Sequence, residues 1–221
     1  PEGTVYLHYT SNNTVAGTEY ADIPDADVPL VVDASSNILS RPWDASRFHF
    51  LYAGAQKNMG PSGVTLAIMH DEWVAKCPSD VPDMLSYPVH VKKNSMYNTP
   101  CTFAIYMVER VCNWIEEQGG LEVIAKRNQA QADAGYAQID GSAFWQGKVQ
   151  PDSRSRMNLT FTTGDDALDT RFWKEAAEQG LSGLKGHRSV GGLRASLYNA
   201  QSDAAVRALV DFMKDFEARN G

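Results

Sequence analysis

The chain has 221 residues, of which 43% are hydrophobic and 21% charged, and its formal net charge is −7. An acidic chain of this kind is a poor candidate for binding nucleic acid or an anionic membrane surface. No apolar run approaches the roughly 18 residues that a membrane span requires. The three cysteines show no C-x-x-C or His-rich metal spacing, which favours a reducing cytoplasm and gives no reason to expect a metal site.

The first half of the chain alternates short apolar runs with turn residues. Residues 5–9 indicate a first strand, and the continuous apolar run 28–32, which ends at Asp33, predicts a buried parallel strand. Residues 48–53 and 63–69 predict two more strands, separated by a turn rich in Gly and Pro. We therefore expect part of an α/β layer with a mostly parallel sheet and helices.

Helices dominate after residue 100. Residues 102–117 are apolar almost all round, which predicts a buried helix, and 121–139 predict a more polar helix. Alternating strands and helices are then expected near 157–162, 165–179, 193–198 and 202–218. We predict a boundary near 119–120, with the C-terminal portion of a large domain in residues 1–119 and a small α+β domain in residues 120–221.

Lys57 is the first candidate for chemistry. It follows a predicted buried strand, in a loop whose Gly and small residues allow close approach to a ligand. An amine held near apolar strand ends loses its proton easily enough to form a Schiff base. An ordinary surface lysine in a loop is the generic alternative.

Asp33 is the second candidate. An acid that ends a parallel strand lies at the carboxyl edge of the sheet, where α/β proteins bind ligands. Such a carboxylate suits the pyridine nitrogen of pyridoxal phosphate (PLP), whose protonation lets the ring act as an electron sink. The alternative is that Asp33 caps the following turn. Because Asp33 and Lys57 end successive strands, together they could bracket a flat ring.

Two further segments carry candidate binding groups. Residues 185–194 concentrate basic side chains among glycines, which suits a small anionic substrate, although a solvated basic loop is the generic alternative. Residues 94–100 are polar and end in Pro just before the predicted helix 102–117. Their amide and hydroxyl groups could bind a phosphate, or the segment could simply start the helix.

Taken together, these segments closely resemble the phosphoserine aminotransferases, PLP enzymes of fold type I within the class-V aminotransferases. The resemblance runs from end to end of the chain, in family order and near family spacing. The matching stretches are HYTSNNT (8–14), DASSNILSRP (33–42), YAGAQKNMGP (52–61), MYNTP (96–100), SRSRMN (153–158), GHR (186–188) and GGLRAS (191–196).

The resemblance implies a PLP site with assigned roles. Lys57 would bear the cofactor and shuttle the substrate proton, and Asp33 would pair with the pyridinium nitrogen. Thr14 would donate a hydrogen bond to the phenolic oxygen of the ring. Gln56 would contact the cofactor phosphate. No metal is implied.

The resemblance also implies a substrate site and a homodimer. Arg194 would hold the substrate α-carboxylate, and His187 and Arg188 would help to recognise the distal phosphate or carboxylate. Asn98 and Thr99 would reach across the dimer interface to the PLP phosphate of the other subunit. The implied reaction is amino transfer from O-phospho-L-serine to 2-oxoglutarate, and a phosphorylated hydroxythreonine is a second implied substrate.

The sequence departs from the family pattern in several places. Asn13 stands where the family usually has Glu, Ala34 replaces a larger apolar residue, and Cys101 replaces a second Pro. The family's long N-terminal part, which supplies a phosphate-binding loop and a stacking aromatic, has no counterpart here, so we expect the 221 residues alone to be inactive or nearly so. The alternatives are another fold type I PLP enzyme, or a non-catalytic remnant that acts as a dimerisation unit.

Overall fold

The computed structural model describes residues 2–221. Its strands are β1 (Leu7–Thr10), β2 (Asn12–Asn13), β3 (Thr18–Glu19), β4 (Leu30–Asp33), β5 (Phe50–Gly54), β6 (Thr65–Met69), β7 (Gln146–Gly147), β8 (Asn158–Thr162) and β9 (Leu193–Ser196). Its α-helices are α1 (Asp71–Val74), α2 (Tyr87–Lys92), α3 (Thr102–Glu117), α4 (Leu121–Asp140), α5 (Asp166–Glu178) and α6 (Asp203–Asn220). Short 3-10 helices cover Ala45–Arg47, Asp83–Leu85 and Pro151–Ser153.

The first half of the chain forms a four-stranded sheet in the order β1-β4-β5-β6. β1, β4 and β5 are parallel, and β6 pairs antiparallel with β5. The apolar residues of β4 are buried, as the run 28–32 predicts. One face of the sheet packs into a core that includes Tyr9, Val32, Leu51 and Ala53. The expected α/β fold with a mostly parallel sheet is confirmed.

The second half of the chain builds a second core around a three-stranded antiparallel sheet, β7-β8-β9. Ser202 caps the N-terminus of helix α6, and its side chain accepts a hydrogen bond from the Ala205 backbone N–H. Its apolar stripe lies in this core, as the sequence pattern predicts; the stripe comprises Val206, Leu209, Met213 and Phe216. The division into domains 1–119 and 120–221 stays a prediction. No helix in residues 2–221 is both long and apolar enough to cross a bilayer.

Helix α3 has the predicted bounds but not the predicted burial. Only Ala104 and Ile115 are buried, whereas Phe103 is 67% and Tyr106 52% exposed. The prediction of a buried helix was therefore wrong for these residues. Apolar side chains on every face of a helix predict that it is buried, but they do not show which surface packs against it. Within residues 2–221, the outer face of α3 remains open to solvent.

The hairpin β2–β3 is a feature that the sequence pattern did not predict. It lies between the two cores: the Asn12 side chain donates to Ser36 on one side and to Asn158 on the other. The Ser155 backbone N–H donates to the Gly17 carbonyl, and Thr160 Oγ1 donates to the Ala16 carbonyl. The segment that carries Thr14 is thereby fixed against both halves of the chain.

Gly17→Ala is expected to lower the free energy of unfolding by about 1–3 kcal/mol. Gly17 has φ +76°, and an added Cβ would lie 2.6 Å from the Thr160 hydroxyl oxygen. Gly3→Ala is the matched control, because Gly3 has φ +80° but no atom within 4 Å of an added Cβ. Urea unfolding of both variants tests this, and equal losses for the two would contradict the packing argument.

Candidate active site

Lys57 lies in the turn that follows β5, at the carboxyl end of the parallel strands. Ala55, completely buried, anchors this turn, and the Met59 and Gly60 backbone N–H groups both donate to its carbonyl. The half-buried Lys57 amine donates to the Thr14 hydroxyl, with an Nζ–Oγ1 distance of 2.8 Å. The fold therefore brings together two of the predicted site residues that are 43 positions apart in sequence.

The surroundings of Lys57 lower the pKa of its amine. Burial is the largest cause, the Asp33 carboxylate opposes it, and the Arg194 guanidinium adds to it. All three predicted groups therefore lie close enough to influence one another. Because only the unprotonated amine is a nucleophile, the lowered pKa makes Lys57 reactive at a lower pH than an exposed lysine.

Asp33 ends β4, between Thr10 on β1 and Tyr52 on β5. One carboxylate oxygen, Oδ1, accepts the Ser35 backbone N–H at 2.9 Å, so Asp33 does cap the turn. Burial first and the Asp33 charge second raise the pKa of Tyr52. The cap involves Oδ1 alone, so the capping role and a ligand-binding role are compatible.

Gln56 is exposed beside Lys57, and its position depends on the glycine at the end of β5. A Cβ at Gly54 would lie 2.6 Å from the Gln56 side-chain oxygen. The Gly54 backbone N–H donates to the Ser35 hydroxyl, which links this turn to the one after Asp33. A small residue at 54 therefore lets Gln56 fold back over the strand end.

Arg194 and His187 line a cavity of about 310 Å³, together with Lys148. The Lys148 amine donates to the Val190 carbonyl at 2.9 Å and so braces the turn that carries His187. Lys148 was not predicted, because it lies far from the basic segment 185–194 in sequence and no motif surrounds it. The cavity thus holds three basic side chains in an otherwise acidic chain.

Arg194 has unused hydrogen-bonding capacity. Its Nη1 donates to the Thr14 carbonyl at 3.2 Å, but its buried Nε has no hydrogen-bond partner within residues 2–221. A buried N–H of a charged group without an acceptor is costly. An anionic ligand in the cavity would supply the acceptor, and Arg binds carboxylates with two parallel hydrogen bonds.

Thr14 connects the lysine to the arginine. Its hydroxyl contacts the Lys57 amine and its carbonyl contacts the Arg194 guanidinium. Val15 and Ala16, the next residues, line the cavity that contains Arg194. The fold therefore places the candidate nucleophile and the candidate anion-binding site on opposite sides of one residue.

Besides Gln56, three further predicted residues lie at the surface. Asn98 and Thr99 are exposed in the segment before α3, where the Asn98 amide donates to the Thr99 carbonyl. Arg188 is exposed in the turn next to His187. No group of three His, Cys, Asp or Glu side chains in residues 2–221 is arranged to hold a metal ion.

The comparisons with known proteins decide the family. Residues 1–209 match the family described as aminotransferase class-V. The chain belongs to the class-V aminotransferases. It is 55% identical over 218 residues to a phosphoserine aminotransferase of Desulfatibacillum aliphaticivorans, covering 98% of the chain and 60% of that protein. Its identity to the Bacillus subtilis phosphoserine aminotransferase is 50% over 216 residues, covering 97% of the chain and 60% of that protein.

Solved structures support the same assignment. The chain superimposes on phosphoserine aminotransferase from Bacillus circulans subsp. alkalophilus with a TM-score of 0.95 and 51% identity, covering 98% of the chain and 60% of that protein. It matches a PLP-bound phosphoserine aminotransferase from Trichomonas vaginalis with a TM-score of 0.90 and 39% identity, covering 95% and 60%. The chain spans about 60% of the length of these relatives.

Proposed function

We propose that this class-V aminotransferase chain contributes to PLP-dependent amino transfer between O-phospho-L-serine and 2-oxoglutarate. The observation that carries the proposal is the contact of the Lys57 amine with the Thr14 hydroxyl, at a strand edge where Asp33 and Arg194 both influence the lysine. The relatives named phosphoserine aminotransferase support the substrate class.

The residues at this edge fit PLP. When bound, PLP supplies an aldehyde for a lysine amine and an electron sink for the substrate. The partly buried Lys57 amine would attach the cofactor, Asp33 would hold the pyridine nitrogen protonated, and the Thr14 hydroxyl would bind the phenolic oxygen. Gln56, exposed over Gly54, would contact the phosphate.

Lys57 would then serve a second purpose, as the base that moves the substrate proton. Its Nζ would take the proton from the substrate Cα and return it to the cofactor carbon, so its pKa must be low enough for the free amine to be populated. Burial of Lys57 supports this role, because it lowers the pKa of the amine.

The cavity beside Thr14 would bind the substrate anions. Arg194 would hold the α-carboxylate that both substrates share, and its unpartnered Nε supports this role. His187, with Arg188 from the adjacent turn, would bind the distal phosphate or carboxylate. A phosphorylated hydroxythreonine carries the same charged groups and would fit the same residues.

We also propose that the chain acts as a cytoplasmic homodimer. Asn98 and Thr99 would reach the PLP phosphate of the other subunit, which their exposed position supports. They lie just before α3, whose exposed Phe103 and Tyr106 would be covered in such an assembly.

The two cores support the proposed division into domains 1–119 and 120–221.

Arg194→Lys is expected to weaken binding of 2-oxoglutarate to the PLP-loaded chain by about 10- to 150-fold. Lysine keeps the positive charge but loses the paired hydrogen bonds of the guanidinium. Isothermal titration calorimetry measures the change, with Arg207→Lys, an exposed arginine of α6, as the matched control. If the Arg194→Lys and Arg207→Lys variants bind 2-oxoglutarate with affinities within twofold of each other, Arg194 does not bind the carboxylate.

A single-turnover experiment tests the proposed function. The chain, loaded with PLP at high concentration, is mixed with O-phospho-L-serine, L-serine or L-alanine, and the cofactor absorbance is followed for hours. We expect O-phospho-L-serine to convert the cofactor to its amine form faster than the two unphosphorylated amino acids. Equal rates with all three would indicate a fold type I enzyme of different substrate class. No conversion by any of them would show that the 221 residues alone do not catalyse the amino transfer.

A further inference from the structure

Three consecutive backbone carbonyls, those of residues 38–40, each accept a hydrogen bond from a different asparagine. The donors to carbonyls 38, 39 and 40 are the amides of Asn58, Asn199 and Asn128, at 2.6, 2.8 and 3.0 Å. All three asparagines are buried, with at most 6% of their surface exposed. Buried amides are costly unless they are hydrogen-bonded. The three amide NH₂ groups meet this need at the turn, whereas Asn128 Oδ1 has no partner within residues 2–221.

The three asparagines also bind one another. The Asn199 backbone N–H donates to Asn58 Oδ1, and Asn128 Nδ2 donates to Asn199 Oδ1, both at 2.8 Å. The Asn199 carbonyl in turn accepts a hydrogen bond from Arg127. We refer to Asn58, Asn199 and Asn128 as the asparagine clamp.

The turn that the clamp holds has an unfavourable backbone conformation. Leu39 has φ +59°, in the left-handed region that side chains other than those of Gly, Asn and Asp rarely adopt. Such a conformation persists only when surrounding contacts enforce it. Local hydrogen bonds, from the Ser40 backbone N–H and hydroxyl to the Asn37 carbonyl, contribute to this turn, and the three asparagine amides hold it from outside the turn.

The clamp joins the three chain segments that carry the proposed site. The turn 38–40 follows Asp33 on the segment after β4, and Asn58 is the residue next to Lys57. Asn199 follows β9, the strand that contains Arg194. Asn128 fastens this junction to helix α4. A displacement of Asn58 or Asn199 therefore moves one site segment relative to the other two, and loss of Asn128 removes their shared contact with α4.

We propose that the asparagine clamp positions Lys57 relative to Asp33 and Arg194. The inference rests on the proposed function, in which these three residues act on one substrate. It assigns to Asn58, Asn199 and Asn128 a positioning role, since none of them would touch the reacting atoms.

Gln131 provides a matched control for a purely structural role. It lies one turn after Asn128 on α4, is 4% exposed, and also reaches the segment between β9 and α6, donating to the Gln201 carbonyl and to Asp203. Its bonds do not involve the turn 38–40. Gln131→Ala thus removes an equally buried amide from the same helix without opening the clamp.

The experiment measures the titration of Lys57 without any cofactor. The chain and its Asn199→Ala, Asn128→Ala and Gln131→Ala variants are labelled with trace acetic anhydride across a pH series, at temperatures where circular dichroism shows them folded. Peptide mass spectrometry then gives the pH midpoint of labelling at Lys57 and at Lys214, an exposed reference on α6. In the unsubstituted chain we expect the Lys57 midpoint below that of Lys214, because burial lowers the Lys57 pKa.

We expect the Asn199→Ala variant to move the Lys57 midpoint more than halfway towards that of Lys214. Asn128→Ala should move it in the same direction by less, and it serves as the second variant if Asn199→Ala folds poorly. Gln131→Ala should leave the midpoint in place even though it lowers the melting temperature. The proposal is overturned if the clamp variants lower the melting temperature as Gln131→Ala does and leave the Lys57 midpoint unchanged.

This readout separates the inference from the proposed function. Failure of the unsubstituted chain to attach PLP at Lys57 would count against the function but would not alter the labelling midpoints. If the chain attaches PLP, the borohydride-fixed yield at Lys57 should fall in Asn199→Ala and stay unchanged in Gln131→Ala.

Discussion

Lys57→Ala is expected to slow exchange of the Cα proton of O-phospho-L-serine by about 10²- to 10⁴-fold in the PLP-loaded chain. The Lys57 amine is the proposed base for this proton, and burial lowers its pKa, which increases the fraction of free amine at any given pH. Deuterium incorporation at Cα, followed by NMR in D₂O, measures the step without requiring complete turnover. Added methylamine should restore part of the rate, because alanine leaves space where the lysine side chain had been.

The control for this prediction is Lys214→Ala, which removes an exposed lysine from α6. It should exchange the proton at the rate of the unsubstituted chain. A Lys57→Ala variant that stays folded and exchanges within threefold of the unsubstituted chain would mean that another group is the base. The exchange should also rise with pH through the pKa of Lys57 and level off above it, since only the free amine accepts a proton.

Asp33→Asn is expected to weaken PLP binding by about 10- to 150-fold. Asparagine keeps the shape of the side chain and can still accept the Ser35 backbone N–H, so the turn should persist. The lost interaction is that of the carboxylate with the protonated pyridine nitrogen. Fluorescence titration with PLP measures the affinity, and the cofactor absorbance should respond to pH over a different range than in the unsubstituted chain.

A matched substitution for Asp33→Asn is Asp44→Asn. Asp44 likewise accepts a backbone N–H two residues ahead, from Ser46, but it caps an exposed 3-10 helix. Asp44→Asn should bind PLP as the unsubstituted chain does. Equal affinities for the two variants would show that Asp33 is a turn cap without a cofactor role.

The regular parts of the fold were predictable because their signals are local. The apolar run before Asp33 and the periodic apolar stripe of α6 each predict burial from a short stretch of sequence. The proximity of Asp33 and Lys57 also followed from local signals, because Asp33 ends β4 and Lys57 lies in the turn after β5, its parallel neighbour.

The remaining features depend on contacts between distant parts of the chain. Asn199 and Asn58 are 141 residues apart, and no sequence pattern marks either as part of a shared network. Lys148 lines the cavity that contains Arg194 because it directly follows β7, which pairs with β8. The exposure of α3 could not be predicted from its composition. A helix that is apolar on all sides is expected to be buried, but its sequence does not show which surface buries it.

Attachment of PLP to Lys57 is tested most directly by an absorbance spectrum of the purified chain with added PLP, before and after borohydride. We predict a violet-region band that borohydride removes, with the cofactor then found by mass spectrometry on the peptide that contains Lys57. Lys57→Ala should show neither the band nor the modified peptide. A folded chain without the band, or with the cofactor fixed on a different lysine, would contradict the assignment of this site.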